Sequence, residues 1–151
     1  MDEKKYNQFR SSLRVLARKI ETQMKNETGC CGVTLSQCHI LLELYPDQEL
    51  SIKELSQRLE LDKSNISRTV DSMVEMGLAE RSHSLDDRRF VSIRLSEKGI
   101  EKASFINQSC NEYYISLFKP LSPEKQAVIL QGMEYLAQLM KNESKKSCSS
   151  C

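Results

Sequence analysis

Apolar residues at Tyr6, Phe9, Leu13, Leu16, Ile20 and Met24 recur every three or four positions, which predicts an amphipathic first helix ending near Thr28 and Gly29. A Gly-Cys-Cys-Gly loop, residues 29–32, is expected next. From Thr34 to about Tyr45 a second helix places Leu35, Cys38, Leu42 and Tyr45 on one face, widened by Leu41 and Leu44, and Pro46 stops it. A third helix opens on a capping box, in which Ser51 accepts from the Glu54 amide while the Glu54 side chain reaches back, and its core face is Ile52, Leu55 and Leu59. Asp62 is placed to cap a fourth helix with Ile66, Val70, Met73 and Val74 inward, and Gly77 suits the left-handed position that ends it. Only a tight turn separates helices three and four.

The period then changes from 3.6 to 2. Leu78 to Arg81 reads as a short strand, residues 82–87 as a polar loop, and Phe90 to Leu95 as a strand whose Val91, Ile93 and Leu95 alternate with Phe90, Ser92 and Arg94. Ser96 caps a long fifth helix with Ile100, Ala103, Ile106, Cys110, Tyr113, Tyr114 and Leu117 on its apolar side, and Pro120 ends it. Ser122 and Pro123 open a last helix carrying Val128, Ile129, Leu130, Met133, Leu136, Leu139 and Met140. The polar tail, residues 144–151, is expected to be flexible.

The order predicts a mainly α fold: a winged helix-turn-helix with a two-stranded wing over residues 34–95, flanked by dimerisation helices over residues 1–28 and 96–143. The flanking helices carry broader apolar faces than a compact winged helix can cover, which favours burial against a second copy. No internal repeat, low-complexity linker or second domain is visible.

Composition narrows the function classes. At 151 residues the chain is long enough for a real core, its apolar runs are far shorter than the roughly 18 residues that span a bilayer, and its start MDEKKYNQFR lacks a secretory layout. A cytoplasmic location without membrane association is therefore expected, and the six cysteines are expected to be thiols rather than a disulfide scaffold. An enzyme reading is poor: the five glycines form no phosphate-cradling loop, and the two histidines form no H-E-x-x-H. Net charge is +1, with nine basic against nine acidic residues from Lys53 to Lys98, so bulk charge does not announce nucleic acid. What matters is where the charges sit.

On the outer face of helix four stand Lys63, Ser64, Ser67 and Arg68, with Asn65 and Ser72 at its margin. Short hydrogen-bonders and cations in the first turns suit a recognition helix; Arg68 can take guanine bidentately and Asn65 can read adenine. In the wing, Arg88 or Arg89 suits the minor groove, with Asp86 or Asp87 orienting its guanidinium. The bland readings are a solvated helix face and a surface ion pair worth about 0–1 kcal/mol. A winged helix used for protein contact would lack these outward cations.

From Thr34 to Gly99, in LSIKELSQRLELDKSNISRTVDSMVEMGLAERSHSLDDRRFVSIRLSEKG, the chain resembles the MarR family of winged-helix regulators, the order MGLAER, DDRR, LSEKG being the family's wing signature. The resemblance implies a homodimer with interlocked helices one, five and six, whose recognition helices enter successive major grooves of near-palindromic double-stranded DNA, usually as a repressor. It places Ser64, Asn65, Ser67, Arg68 and Arg88 or Arg89 against DNA. It also implies an effector crevice between the dimer helices and the DNA-binding lobe, and names no effector.

Cysteines offer one input. Cys38 and Cys110 lie on apolar helix faces and read first as core, whereas Cys30 and Cys31, between glycines, are candidates for redox sensing or, with a third thiolate, for a thiophilic ion such as zinc or an arsenite-like species. Cys148 and Cys151 have C-x-x-C spacing, half of a zinc site, or form an inconsequential tail. No cofactor is otherwise required. The alternative effector is a small aromatic molecule, since Tyr6, Tyr45, Tyr113 and Tyr114 are placed near an apolar crevice.

Overall fold

A computed structural model of the chain describes residues 2–83 and 91–143, apart from the side chains of 27–31, 83, 142 and 143. Among them the elements run α1 (Glu3–Cys31), α2 (Leu35–Leu44), β1 (Leu50–Ser51), α3 (Ile52–Leu59), α4 (Lys63–Glu75), β2 (Ala79–His83), β3 (Val91–Leu95), α5 (Glu97–Phe118) and α6 (Pro123–Glu143). The chain divides between Cys110 and Asn111 into two compact units. None of the described helices is long and apolar enough to cross a membrane.

The first unit has one core. Ile40, Leu41 and Leu44 of α2, Leu55 of α3, Ile66, Val70 and Met73 of α4, Leu78, Ile93 of β3, and Ala103 and Ile106 of α5 are all buried in it. The first half of α5 therefore contributes to the same core as the helix-turn-helix. Burial is directional along each element, and the alternation expected for the second wing strand holds, with Ile93 and Leu95 buried between exposed Arg94 and half-buried Ser92.

Three expectations need correction, and one strand goes beyond them. The two-stranded wing of β2 and β3 is joined by a third strand: Leu50 and Ser51 pair antiparallel with Ile93 and Ser92, giving the order β1-β3-β2. Two residues ending in a helix cap carry no alternation to read, so this strand is legible only from its partner. The expected loop at residues 29–32 is helical as far as Cys31, and Gly32, at φ 65°, provides the left-handed cap. On α2 the buried face is turned toward Ile40, Leu41 and Leu44, which leaves Leu35 40% exposed. Val74, expected inward, is 38% exposed, because Ile66, Val70 and Met73 already complete the stripe of α4 that meets the core.

In the second unit, the turn between α5 and α6 is held by Gln126, whose Nε2 donates to the carbonyls of Phe118 (3.3 Å) and Leu121 (3.1 Å). Ser122 bonds the Glu124 side chain and holds its carboxyl below the ordinary range. The large apolar residues of α6, among them Val128, Leu130 and Leu139, are exposed.

Candidate nucleic-acid interface

Helix α4 begins where the chemistry of three side chains dictates. Asp62 accepts from the Ser64 and Asn65 amides at 2.9 and 3.0 Å and from the Ser64 hydroxyl, satisfying donors that a helix N-terminus leaves without partners. Those bonds, the Ser64 hydroxyl foremost, hold the Asp62 carboxyl below its ordinary value. Before it, Ser56 staples the turn: its hydroxyl donates to the Leu61 carbonyl at 2.6 Å, and its own carbonyl accepts from the Leu61 amide at 3.2 Å. Glu60 takes up the left-handed conformation at φ 54° as the C-cap of α3. On the other side, α3 starts on the expected box, with the Ser51 amide donating to Glu54 at 2.8 Å.

The candidate reading residues fall on one end of α4. Lys63, Ser64 and Arg68 are exposed, while Asn65 and Ser67 are half-buried. Arg68 is laid along the helix by an Nε bond to the Ser64 carbonyl at 3.3 Å, leaving its terminal nitrogens to face outward. Ser64 differs from the sequence reading in its donor: with its hydroxyl proton given to Asp62, it offers incoming groups an acceptor. Ser72, expected at the margin of the outer face, is half-buried and bonded instead to Gln37 of α2.

The cations separate into two groups. Arg81 on β2 pairs with Asp71 on α4, Arg94 on β3 pairs with Glu80 directly across the ladder at 2.9 Å, and Arg58 meets Glu43 at 3.4 Å. Lys63 and Arg68 make no ion pair with any described residue. Both cations are thus outside any ion pair where α4 begins, although the charge of Arg68 helps to lower the neighbouring Asp62 carboxyl. The wing residues Asp86, Asp87, Arg88 and Arg89 lie outside the described residues.

Sequence reasoning underrated the far end of α4. There three successive backbone carbonyls are taken up by the start of α5: Met76 by Lys98 Nζ at 2.9 Å, Gly77 by the Ser96 hydroxyl at 2.6 Å, and Leu78 by the Ser96 amide at 3.1 Å. Ser96 also caps α5, accepting from the Gly99 amide at 3.1 Å. Gly99 is compelled by closeness, since a Cβ there would stand 1.9 Å from the Leu78 carbonyl oxygen. The Ser-Glu-Lys-Gly run is therefore a clasp. Gln37 was also missed, although Thr34-Leu-Ser-Gln37 carries the capping-box pattern that the structure realises.

The cysteines are placed unevenly. Cys38 is 4% exposed in the core and Cys110 is half-buried against it, whereas the side chains of Cys30 and Cys31 and the whole of Cys148 and Cys151 lie outside the described residues. Among the described residues no group of three His, Cys, Asp or Glu side chains is gathered to hold a metal ion.

A tight helix-turn-helix whose second helix shows its polar face to solvent, followed at once by an antiparallel hairpin, defines a winged-helix protein. Residues 32–89 match the profile of the MarR family. The repressor MdtR of Bacillus subtilis is similar at 30% identity over 88 residues, which is 58% of this chain and 57% of MdtR, so the likeness spans little more than half of that relative. A MarR family protein from Bacillus stearothermophilus is similar in structure over 93% of this chain and 99% of its own, with a TM-score of 0.77 and 25% identity. FabT of Streptococcus pneumoniae, solved in complex with DNA, covers 93% of this chain and 99% of its own with a TM-score of 0.77 at 18% identity, a likeness of fold. Over residues 32–89 the chain is thus similar to the MarR family, and the relative named for its role, MdtR, is a transcriptional repressor.

Proposed function

We propose that the chain is a sequence-specific DNA-binding repressor acting as a homodimer on a near-palindromic operator and released by an effector. The observation that carries the reading is that Lys63 and Arg68, exposed at the start of a capped α4, make no ion pair with any described residue, beside sheet arginines that are already ion-paired. Phosphates and guanine edges are the chemistry that two such cations, interleaved with hydroxyls and an amide, recognise. In this reading Ser64, Asn65 and Ser67 complete the helix contact, and Arg88 or Arg89, oriented by Asp86 or Asp87, reaches DNA from the wing. The repressor named MdtR and the DNA complex of FabT are consistent with it.

Dimerisation is supported by large apolar side chains left exposed in one copy: Tyr6, Phe9 and Leu16 on α1, and Ile115, Leu130 and Leu139 on α5 and α6. For the effector, one observation favours the small apolar ligand. Ala17, Ile20, Met24 and Leu35, with Glu21 and Lys25, line an open, mostly apolar recess of about 490 Å³ between α1 and the start of α2. Cys38, closed into the core, is the poorer sensor, which leaves Cys30 and Cys31 to carry the thiol alternative with an oxidant or soft metal.

The experiment is a binding titration on a duplex from upstream of the chain's own gene, repeated with reductant, peroxide, zinc, arsenite and salicylate. Expected is a complex of two protomers per duplex, tighter than on a scrambled duplex at equal salt. Arg68→Ala is expected to weaken it by about 1–3 kcal/mol with the dimer intact. Equal affinity for both duplexes overturns the reading, and an unchanged Arg68→Ala affinity removes that side chain from it.

A further inference from the structure

Gln37 is the one polar side chain fully buried among the described residues, at 5% exposure, and its two ends serve two different elements. Its Oε1 accepts from the Thr34 amide at 2.8 Å, closing the cap of α2 immediately after the Gly32–Val33 turn that ends α1. Its Nε2 donates to Ser72 Oγ at 3.1 Å and reaches Met76 Sδ at 3.4 Å. Ser72 and Met76 are four apart on α4 and so lie along one stripe, and Arg68 is one turn further back on the same stripe.

We propose that Gln37 is a positioning residue for DNA reading, coupling the α1–α2 junction to the rotation of α4 about its own axis. The inference rests on the DNA-binding reading above. Apolar contacts of Ile66, Val70 and Met73 set how deeply α4 sits, but they are not directional. A hydrogen bond prefers one direction, and a planar amide buried at both ends fixes two groups relative to each other. Because a buried amide tolerates an unmade bond poorly, a displacement of Thr34 is passed to Ser72 rather than absorbed between them. Arg68, one turn away, turns with it. The clasp of Ser96 and Lys98 holds the end of α4 from the Met76 carbonyl onward, so Gln37, through Ser72, grips the helix between that anchor and the reading residues.

Ser72→Ala separates positioning from folding, since it removes the oxygen acceptor at the α4 end of the bridge and leaves only the weaker Met76 Sδ contact there, keeps the α2 cap in place and puts a strong helix former on α4. The first measurement needs no DNA: amide hydrogen exchange at Thr34 in the free protein. We expect exchange about three- to tenfold faster in Ser72→Ala than in wild type, with the unfolding temperature within about 2 °C. The second uses the duplex that wild-type protein selects from a random-sequence pool. We expect the ratio of its affinity to that of a scrambled duplex to fall about fivefold in Ser72→Ala and in Gln37→Met, and no further in the combined variant. If Gln37→Met fails to fold, Ser72→Ala alone decides.

Unchanged Thr34 exchange in Ser72→Ala overturns the inference, as does an unchanged affinity ratio or losses that simply add in the combined variant. If wild type selects no sequence from the pool, the DNA-binding reading falls and the positioning role falls with it. If wild type selects one and Ser72→Ala alters neither measurement, only the positioning role falls.

Discussion

Helices α4 and α6 carry the same kind of sequence pattern and meet opposite fates. In α4, Ile66, Val70 and Met73 are closed into a core supplied by α2, α3, the sheet and α5; in α6, Val128, Leu130 and Leu139 face outward. The helices differ also in how their ends are held. Around α4, Asp62 caps the start, Ser56 bonds Leu61 in the turn before it, and Gln37, Ser96 and Lys98 bond its last turn and the residues just after, whereas α6 has Ser122 and Gln126 at its start. An apolar stripe says that a face needs cover without saying from where. Directional polar contacts specify one arrangement of a buried element, which an element used to read another molecule needs more than one used to bury area.

The largest effect that can break this comparison is a cavity. Leu41→Ala in α2, where the side chain is 0% exposed, is expected to cost about 2–5 kcal/mol in denaturant unfolding at every protein concentration. Leu139→Ala in α6, where the side chain is 63% exposed, is expected to act through assembly, so its cost should vanish as dilution separates the copies. Equal, concentration-independent losses would erase the distinction between the two regions.

Next comes the clasp. Gly99→Ala puts a methyl group against the Leu78 carbonyl, backbone that can yield only by moving β2 or α5, and is expected to cost about 1–3 kcal/mol by urea unfolding. A Gly132→Ala control in α6, where nothing lies near the added carbon, is expected to be neutral or slightly stabilising. A neutral Gly99→Ala would mean that the clasp is loose.

Acid sharpens the comparison at the start of α4. The Asp62 carboxyl lies below its ordinary 3.8 in the folded protein, so its stabilising contribution is complete above that value and is lost as pH falls through the lower folded one. Asp62→Asn keeps an oxygen that accepts from the Ser64 and Asn65 amides and removes the titration. Its stability should therefore fall less steeply with acid than that of wild type, while Glu54, also lowered by its bonds to Ser51, still titrates. Superimposable acid profiles would dismiss Asp62 as a contributor.

The smallest effect is expected on the sheet surface. Arg94→Ala breaks a cross-strand pair with Glu80 in which both side chains are about half exposed, and should change stability by less than about 1 kcal/mol. A larger loss in a double-mutant cycle with Glu80→Ala would show that this pair registers the wing.

Much of this was legible in the chain. Capping boxes at Ser51 and the cap at Asp62 involve residues two or three apart, so spacing alone exposes them, and the change of period after Gly77 marks where helix yields to strand. The outward Lys63 and Arg68 follow from the same helical count. What escaped were contacts whose partners lie far along the chain: β1 against β3, Gln37 with Ser72, and Lys98 on the Met76 carbonyl. Ser72 looked like an outer residue because helical counting leaves it at the edge of the stripe, and only the presence of Gln37 decides to which side the edge belongs.

The sequence by itself determined the order of elements, where helices begin and end, and which face of each is apolar, because caps, turns and periodicity are interactions among near neighbours. Only the tertiary structure decided which of those faces are covered within one copy, which arginines are spent on ion pairs and which remain available, and why Gly99 is glycine. Those answers depend on groups brought together from distant parts of the chain, where distance and direction, and not spacing, decide the partner.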